Sequence, residues 1–274
     1  MDLVEMQKWA FIPSLPDDIA PIRDLLIRYS KISPPDINAH LIRIRDRAWA
    51  LSRAPFIGRW KFLRLSDSRD PCYLQVLFRL SLSRSRDAFL DLGCGFGQAL
   101  RQLRADGIDG SQLFGLDSDS GLIMAGYDLF QDRNTLGATF FVGDIIDPED
   151  QHLHDLDGKV TIIHAGSFFH LFTWTEQLFI GKRIVDFLKP GTQNALIYGR
   201  HAGAPSPRNV AADGSSPYLH NQSSFQRLWD EVGQLTKTKW KVEVEHASVD
   251  ASQLPAFQTD VQAISFTVYQ IPWI

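Results

Sequence analysis

The sequence predicts an α/β fold: a Rossmann-like, mostly parallel sheet of seven strands, flanked by helices and preceded by a helical extension. Three observations carry this expectation. From Asp87 onward, short apolar runs alternate with segments of helical periodicity, as strand–helix–strand units do. Three of the early runs end on an acid, at Asp91, Asp117 and Asp144. The first is followed at once by Gly93, Gly95 and Gly97, a glycine-rich turn that leads directly into a helical pattern.

Before Asp87 the periodicity is helical. Ile22, Leu25, Leu26 and Tyr29 follow Asp17-Asp18 at i, i+3, i+4, i+7, and Ile37, Leu41, Ile44 and Ala48 repeat the spacing after Ser33-Pro34-Pro35. A third helix is expected from Tyr73 to Leu80. We therefore divide the chain into an extension over 1–86, serving as a helical lid and substrate-binding segment, and a ligand-binding domain over 87–274. In that domain the spacing predicts strands over Ala88–Leu92, Leu113–Asp117, Thr139–Asp144, Lys159–Ala165 and Asn194–Tyr198. Helices are expected at Gln98–Ala105, Ser120–Asp128 and Thr175–Leu188, the last stopped by Pro190-Gly191. Ser223 is the expected cap of a helix carrying Phe225, Leu228, Trp229 and Val232. Trp240–Val249 and Ala263–Tyr269 read as a closing antiparallel pair. The stretch from Gly199 to Asn221 exceeds an ordinary connection and is expected to be a lid or an insertion.

A dinucleotide fingerprint spaces its glycines G-x-G-x-x-G. Here the third glycine would have to fall at Gln98 or Leu100, and it does not. Asp91 at the mouth of the turn would also repel a diphosphate, whereas it would attract a ligand bearing positive charge. Asp117 closes the second strand about 20 residues past the glycine turn, where such sheets place the acid that accepts both ribose hydroxyls. A single strand ending in Asp would be an ordinary cap or turn. Three in succession at these intervals are much harder to explain as caps.

Composition bounds the rest. With 274 residues and 44% apolar content the chain can bury a full core, and a net charge of −4 leaves no electrostatic footprint for nucleic acid. The amino terminus carries acids where a secretory peptide needs positive charge, and no run approaches the length of a membrane span, so a cytoplasmic protein is expected. Cys72 and Cys94 are too few for a disulfide framework or a zinc site. His152 and His154, near Asp144, Asp147 and Asp150, read as a solvated loop rather than a cation site, and no metal is expected.

The segments Phe89-Leu90-Asp91-Leu92-Gly93-Cys94, Phe96-Gly97-Gln98, Gly126-Tyr127-Asp128-Leu129-Phe130 and Ser167-Phe168-Phe169-His170-Leu171-Phe172 carry a resemblance. Together with Arg28-Tyr29-Ser30 and Ile44-Arg45-Asp46-Arg47-Ala48-Trp49 in the extension, they are similar to the class I S-adenosylmethionine-dependent methyltransferases of fungal secondary metabolism, including meroterpenoid pathways. Gly95 replaces a cysteine common in such sequences, and Ala99 an acid. The resemblance implies S-adenosyl-L-methionine as cofactor. It also implies cofactor contacts at Asp91, Gly93, Cys94, Gly95, Gln98, Asp117, Ser118 and Ala165, with Asp144 accepting the adenine amino group and Ile145 packing on the ring.

Methyl transfer is an in-line displacement that needs alignment and exclusion of water more than a strong base. A carboxylate acceptor is already ionised at neutral pH, whereas a phenol or amine benefits from a base such as histidine. His170, a few residues past the fourth strand, is the candidate catalytic residue; the competing reading is a histidine bonded to backbone at a helix start. His164 reads as a buried, hydrogen-bonded histidine. Tyr29, Phe169 and His201 are candidate contacts to a small hydrophobic substrate, and Arg45 or Arg59 could meet a carboxylate. O-methylation of a hydrophobic polyketide or terpenoid acid is the expected reaction. N- or C-methylation, a terpene cyclase or isomerase on the same fold, and a non-catalytic subunit are the alternatives. The sequence is compatible with a homodimer.

Overall fold

The computed structural model describes residues 8–211, 216–246 and 260–272. Its strands are β1 (Phe89–Leu92), β2 (Leu113–Asp117), β3 (Thr139–Val142), β4 (Ile162–His164), β5 (Leu196–Gly203), β6 (Arg208–Asn209), β7 (Tyr218–Leu219), β8 (Trp240–His246) and β9 (Gln262–Gln270). Seven of them form one sheet in the order β3-β2-β1-β4-β5-β9-β8, and β6 pairs with β7 in a separate ribbon. The pairs β2–β3, β1–β4 and β4–β5 are parallel, while β9 runs antiparallel to β5 and β8. The strand order reverses between β1 and β4, and in sheets of this kind ligands gather beyond the carboxyl ends of the strands at such a reversal. Contacts group the chain into two compact units, 1–85 with 94–142, and 86–93 with 143–274.

In the first unit the leading helices are α1 (Ala20–Arg28), α2 (Ile37–Leu51), a single turn α3 (Pro55–Gly58) and α4 (Pro71–Ser81). The apolar spacing is used as expected: Ile22, Leu25 and Leu26 of α1, and Ile37, Leu41, Ile44 and Ala48 of α2, are all buried. Asp70 caps α4 by accepting the N–H groups of Cys72 and Tyr73, and Pro71 occupies the first turn, where its missing N–H costs nothing. Two further helices, α5 (Gln98–Ala105) and α6 (Ser120–Phe130), flank β2 in sequence. Helices α1, α2 and α3 share one apolar core with Phe96, Leu122, Leu129 and Phe130. Each fully buried Leu, Ile or Phe there contributes about 1.5–3 kcal/mol.

The second unit contains α7 (Trp174–Phe187) and α8 (Gln222–Thr236). Thr173 and Glu176 form a reciprocal capping box at the start of α7. The cap of α8 is Asn221 rather than Ser223. Asn221 has extended backbone and accepts the Ser224 N–H at 3.0 Å, while Ser223 already lies inside the first turn.

Other boundaries also move. β3 ends at Val142, so Asp144 stands two residues beyond the strand. β5 continues through Gly203, paired residue for residue with β9, so the first five residues of the expected lid are central strand. The remainder carries the β6–β7 ribbon, and residues 212–215 lie outside the described residues. The end of the expected 240–249 strand likewise falls partly outside them, since description stops at His246.

Candidate active site

In the first unit, Gly95 and Gly97 adopt left-handed backbone, with φ of 53° and 62°. An L side chain adopts this conformation only at a cost, which accounts for the glycines. The turn is closed by the Gly97 N–H bonding to the Cys94 carbonyl at 2.7 Å and by the Cys94 N–H bonding to the Leu116 carbonyl of β2 at 3.0 Å. Asp117, at the end of β2, accepts the Gly95 N–H at 2.7 Å through Oδ2 and the Asp119 N–H at 2.9 Å through Oδ1. Ser118 beside it is exposed. Cys94 is buried and, with Phe140, faces the Cα of Gly115, where no Cβ would fit. Gln98 opens α5, and its buried Oε1 meets no hydrogen-bond donor among the described residues.

Tyr29, expected at the substrate, is anchored instead: its hydroxyl donates to Asp132 at 2.8 Å and its ring meets the edge of Phe130. Arg45 is also committed to structure. It is buried between the Phe11 and Trp60 rings, 4.3 Å from each, with bonds to Asp46 and the Ile12 and Pro13 carbonyls. Arg59 bonds the Trp9 carbonyl at 2.5 Å and lies over the Trp9 ring. Lys61, which the sequence reading passed over, is the more available cation. Burial, then Arg64 and Arg59, push its ammonium down to about 8.

In the second unit, Asp91 is not an open charge at a strand mouth. It lies within β1, is buried, and accepts or shares a proton with His164 Nδ1 at 2.7 Å. The register places Asp91, His164 and Tyr198 side by side across β1, β4 and β5, with the His164 and Tyr198 rings 5.0 Å apart. His164 is thus the hydrogen-bonded histidine expected, with a partner that strand register identifies. Gly93 (φ 69°) lies against Phe168, whose ring would be 2.6 Å from an added Cβ. Ala165 follows β4, has no exposed surface, and donates its N–H to the Tyr198 carbonyl at 2.8 Å. Asp144 is exposed; its N–H donates to Asp150 and its Oδ1 accepts the Ile146 N–H, while Ile145 is buried. His152 and His154 belong to the following turn, where His154 pairs with Asp157 at 2.9 Å. Among the described residues no group of three or more His, Cys, Asp or Glu could hold a metal ion, and no helix is long and apolar enough to cross a membrane.

Phe169, His170 and His201 are brought together, but not as three surface contacts. Phe169 has no exposed surface and touches Phe168, His201, Phe225, Trp229 and Phe266, so it is a core residue. His201 stacks on Phe266 at 4.8 Å and is buried, and neither ring nitrogen has a hydrogen-bond partner among the described residues. Burial, then His170 and His220, hold its imidazole well below the ordinary histidine range. His170 is half-buried on the turn Phe169–Leu171, its ring 6.4 Å from that of His201.

Comparison with known proteins adds the following. Residues 10–63 match a family model described as the meroterpenoid methyltransferase N-terminal domain, and residues 89–191 match a methyltransferase domain model. The chain is 37% identical over 230 residues to O-methyltransferase phiE of a fungal species, covering 83% of this chain and 76% of that protein. It is 39% identical over 228 residues to the Asnovolin E/Chermesin D methyltransferase nvfJ of Aspergillus novofumigatus, covering 81% and 80%. O-methyltransferase atr3 of Stereocaulon alpinum is 36% identical over 236 residues, covering 83% of this chain and 66% of that one. Among solved structures, a phosphoethanolamine N-methyltransferase 2 of Haemonchus contortus with S-adenosyl-L-methionine superposes with a TM-score of 0.52 at 16% identity, over 94% of this chain and 62% of that one. That likeness is one of fold.

Proposed function

This chain belongs to the S-adenosylmethionine-dependent methyltransferases of fungal secondary metabolism, and from that premise we propose that it methylates a carboxylate oxygen of a small hydrophobic acid of polyketide or terpenoid origin. The observation that carries the reading is the sequence identity with O-methyltransferase phiE and nvfJ across both matched regions, joined to a glycine loop pinned by Asp117. When bound, the cofactor supplies a methyl carbon already activated by its sulfonium.

The chain's own residues then bind and orient. Asp117, at the end of β2, takes the ribose hydroxyls, and Ser118 lies beside it. Asp144 accepts the adenine amino group and Ile145 packs on the ring. We assign the amino-acid portion to the backbone of Gly93, Cys94 and Gly95 and to Ala165, as the resemblance implies. Gln98 Oε1, a buried acceptor without a donor, fits the ammonium of that portion. Asp91 acts through His164 rather than as a free charge. His170 orients the acceptor, and an ionised carboxylate requires no proton removal from it. Lys61, a cation with Arg59 and Arg64 near it, supports an anionic acceptor. We assign residues 1–86 as the substrate-binding extension of a methyltransferase domain over 87–274, in a cytoplasmic enzyme whose ligands are small molecules.

The test is incubation of the purified protein with S-adenosylmethionine and a panel of hydrophobic carboxylic acids, phenols and amines, read by mass spectrometry. A methyl ester of an acid is the expected product. Methylation confined to nitrogen or carbon, or an isomer of unchanged mass, would replace the proposed reaction. Asp117→Ala should abolish calorimetric binding of S-adenosylhomocysteine, and retained affinity would remove Asp117 from the site.

A further inference from the structure

Arg101, on α5, has no exposed surface, yet every bond its guanidinium makes is directed. Nε and Nη2 grip the two Asp132 oxygens at 2.9 and 3.1 Å, and Nη1 donates to the Phe96 and Gly97 carbonyls at 3.0 and 3.3 Å. The charge lies over the Tyr127, Phe130 and Phe140 rings, 5.0 to 5.3 Å from their centroids. A Cβ on Gly97 would stand 2.5 Å from Nη1, so the loop and the guanidinium approach as closely as glycine permits. Asp132, also buried, receives the Tyr29 hydroxyl at 2.8 Å. Burial and then Asp132 push that hydroxyl far above the ordinary tyrosine range, which keeps it a donor at every physiological pH. A line of hydrogen bonds therefore runs from the end of α1 through Asp132 and Arg101 to two carbonyls of the glycine turn.

Buried ion pairs are poor sources of net stability, because desolvation offsets their attraction and apolar groups of similar volume often replace them without loss. What apolar groups cannot do is fix the carbonyls of Phe96 and Gly97 in one orientation, and thereby aim the neighbouring N–H groups of the turn. The planar, forked guanidinium can, since it offers donors in fixed directions to a carboxylate and to the loop together.

We propose that Arg101 is a positioning residue for the cofactor loop, and that Tyr29–Asp132–Arg101 couples cofactor binding to the packing of the leading helices. The proposal rests on the reading of the glycine turn as the S-adenosylmethionine loop. Coupling of this kind is reciprocal: whatever the seating of Tyr29 adds to cofactor affinity, the cofactor returns to the seating of Tyr29.

The experiment measures S-adenosylhomocysteine affinity by calorimetry, and melting temperature, for wild type, Tyr29→Phe, Arg101→Lys and the double variant. Amide hydrogen exchange over residues 20–51 is followed with and without S-adenosylhomocysteine. Tyr29→Phe removes one hydroxyl and is expected to weaken binding about fivefold, the low end of measured site-to-site coupling. Arg101→Lys keeps the charge, loses the fork, and is expected to weaken binding at least as much. The double variant should lose less than the product of the two factors, and S-adenosylhomocysteine should slow exchange over 20–51 in wild type but not in Tyr29→Phe. If Tyr29→Phe melts lower yet binds like wild type, the network is structural only and the proposal falls, whether or not Arg101→Lys folds. If wild type itself binds no S-adenosylhomocysteine, the cofactor reading fails first and the two failures are told apart.

Discussion

Replacing His201 by Phe isolates a buried imidazole from an aromatic cage that needs no polar atom. His201 stacks on Phe266 at 4.8 Å, meets the edges of Phe225 and Phe169, and has no hydrogen-bond partner for either nitrogen among the described residues. Its folded-state pKa lies well below 6.5, chiefly because burial disfavours the cation. The sign follows from proton counting. Below pH 6.5 the unfolded chain binds a proton at this position and the folded chain does not, so stability falls as pH falls. Each such histidine contributes a slope of about 1.4 kcal/mol per pH unit once the pH is well under its unfolded pKa. His220 behaves likewise: it is bonded to Gln177 Oε1 and Ser224 Oγ, and burial, then Arg227, lower it to about 3. His220 alone predicts a loss of about 1.4 kcal/mol per unit between pH 5.5 and 4.5, and His201 adds to it in the same direction. His201→Phe should make the slope shallower. It should also raise stability at pH 7.5 by about 1–2 kcal/mol, since a buried unpaired N–H disappears, less any cost of fitting the larger ring. Urea unfolding at a series of pH values measures both quantities. An unchanged slope in His201→Phe would show that His201 already carries its proton, or finds a partner, in the folded state, and the account of the cage would be wrong.

Two further outcomes follow from close approaches and charge. In Gly126→Ala an added Cβ on α6 would lie 2.3 Å from the Phe96 carbonyl oxygen, a backbone atom that cannot swing aside. Helix α6 must then retreat from the glycine turn, at a cost of about 1–3 kcal/mol in urea unfolding and with weaker S-adenosylhomocysteine binding; unchanged values for both would mean that the helix is not seated against the loop. For Lys61, protonated below about 8, the kcat/KM of an acidic acceptor should fall as pH rises through that value. Lys61→Met should flatten this profile and raise KM without changing cofactor affinity, and an unaltered profile would remove Lys61 from acceptor binding.

Much of this architecture is legible in the residues because it depends on local rules. The helical spacing of Ile37, Leu41, Ile44 and Ala48 marks a buried face whatever that face meets. The apolar runs ending at Leu92 and Asp117 end as strands where their pattern ends. What escapes is what depends on partners distant in sequence. β5 reads as a strand only to Tyr198, because Gly199, Arg200, His201 and Gly203 resemble loop residues; they are held extended by pairing with β9, which arrives some 60 residues later. The α8 cap was misassigned for the opposite reason, since Asn221 and Ser223 are both good caps and only backbone geometry selects the first. Phe169 and Tyr29 carry the aromatic character of pocket residues, yet one is core and the other is tied to Asp132; aromatic rings serve both ends, and no local signal separates them. Arg101 was invisible as a site residue for the same reason, its partner Asp132 lying in a turn 31 residues away.

The sequence pattern puts Asp91, Asp117 and Asp144 at the ends of three strands, although Asp91 lies within β1 and Asp144 two residues past β3. Read together, they attract a cationic ligand and repel a diphosphate. In the fold they do three different things. Asp91 is buried against His164 Nδ1, so its charge acts first on a neighbouring strand. Asp117 gives one oxygen to the Gly95 N–H and the other to the Asp119 N–H, so its charge shapes the glycine turn and the start of α6 before any ligand arrives. Asp144 is exposed, and only weakly held by the Ile146 N–H at 3.2 Å. Asp144 is therefore the acid most open to an approaching cation and Asp91 the least, because a buried, bonded carboxylate presents few of its acceptor positions. In the proposed site the spacing of the acids matters because each position supplies an acceptor to the nucleoside. It does not identify an electrostatic trap, and the neutral acceptor Gln98 Oε1, buried and without a donor, is as well suited to an ammonium as Asp91 is.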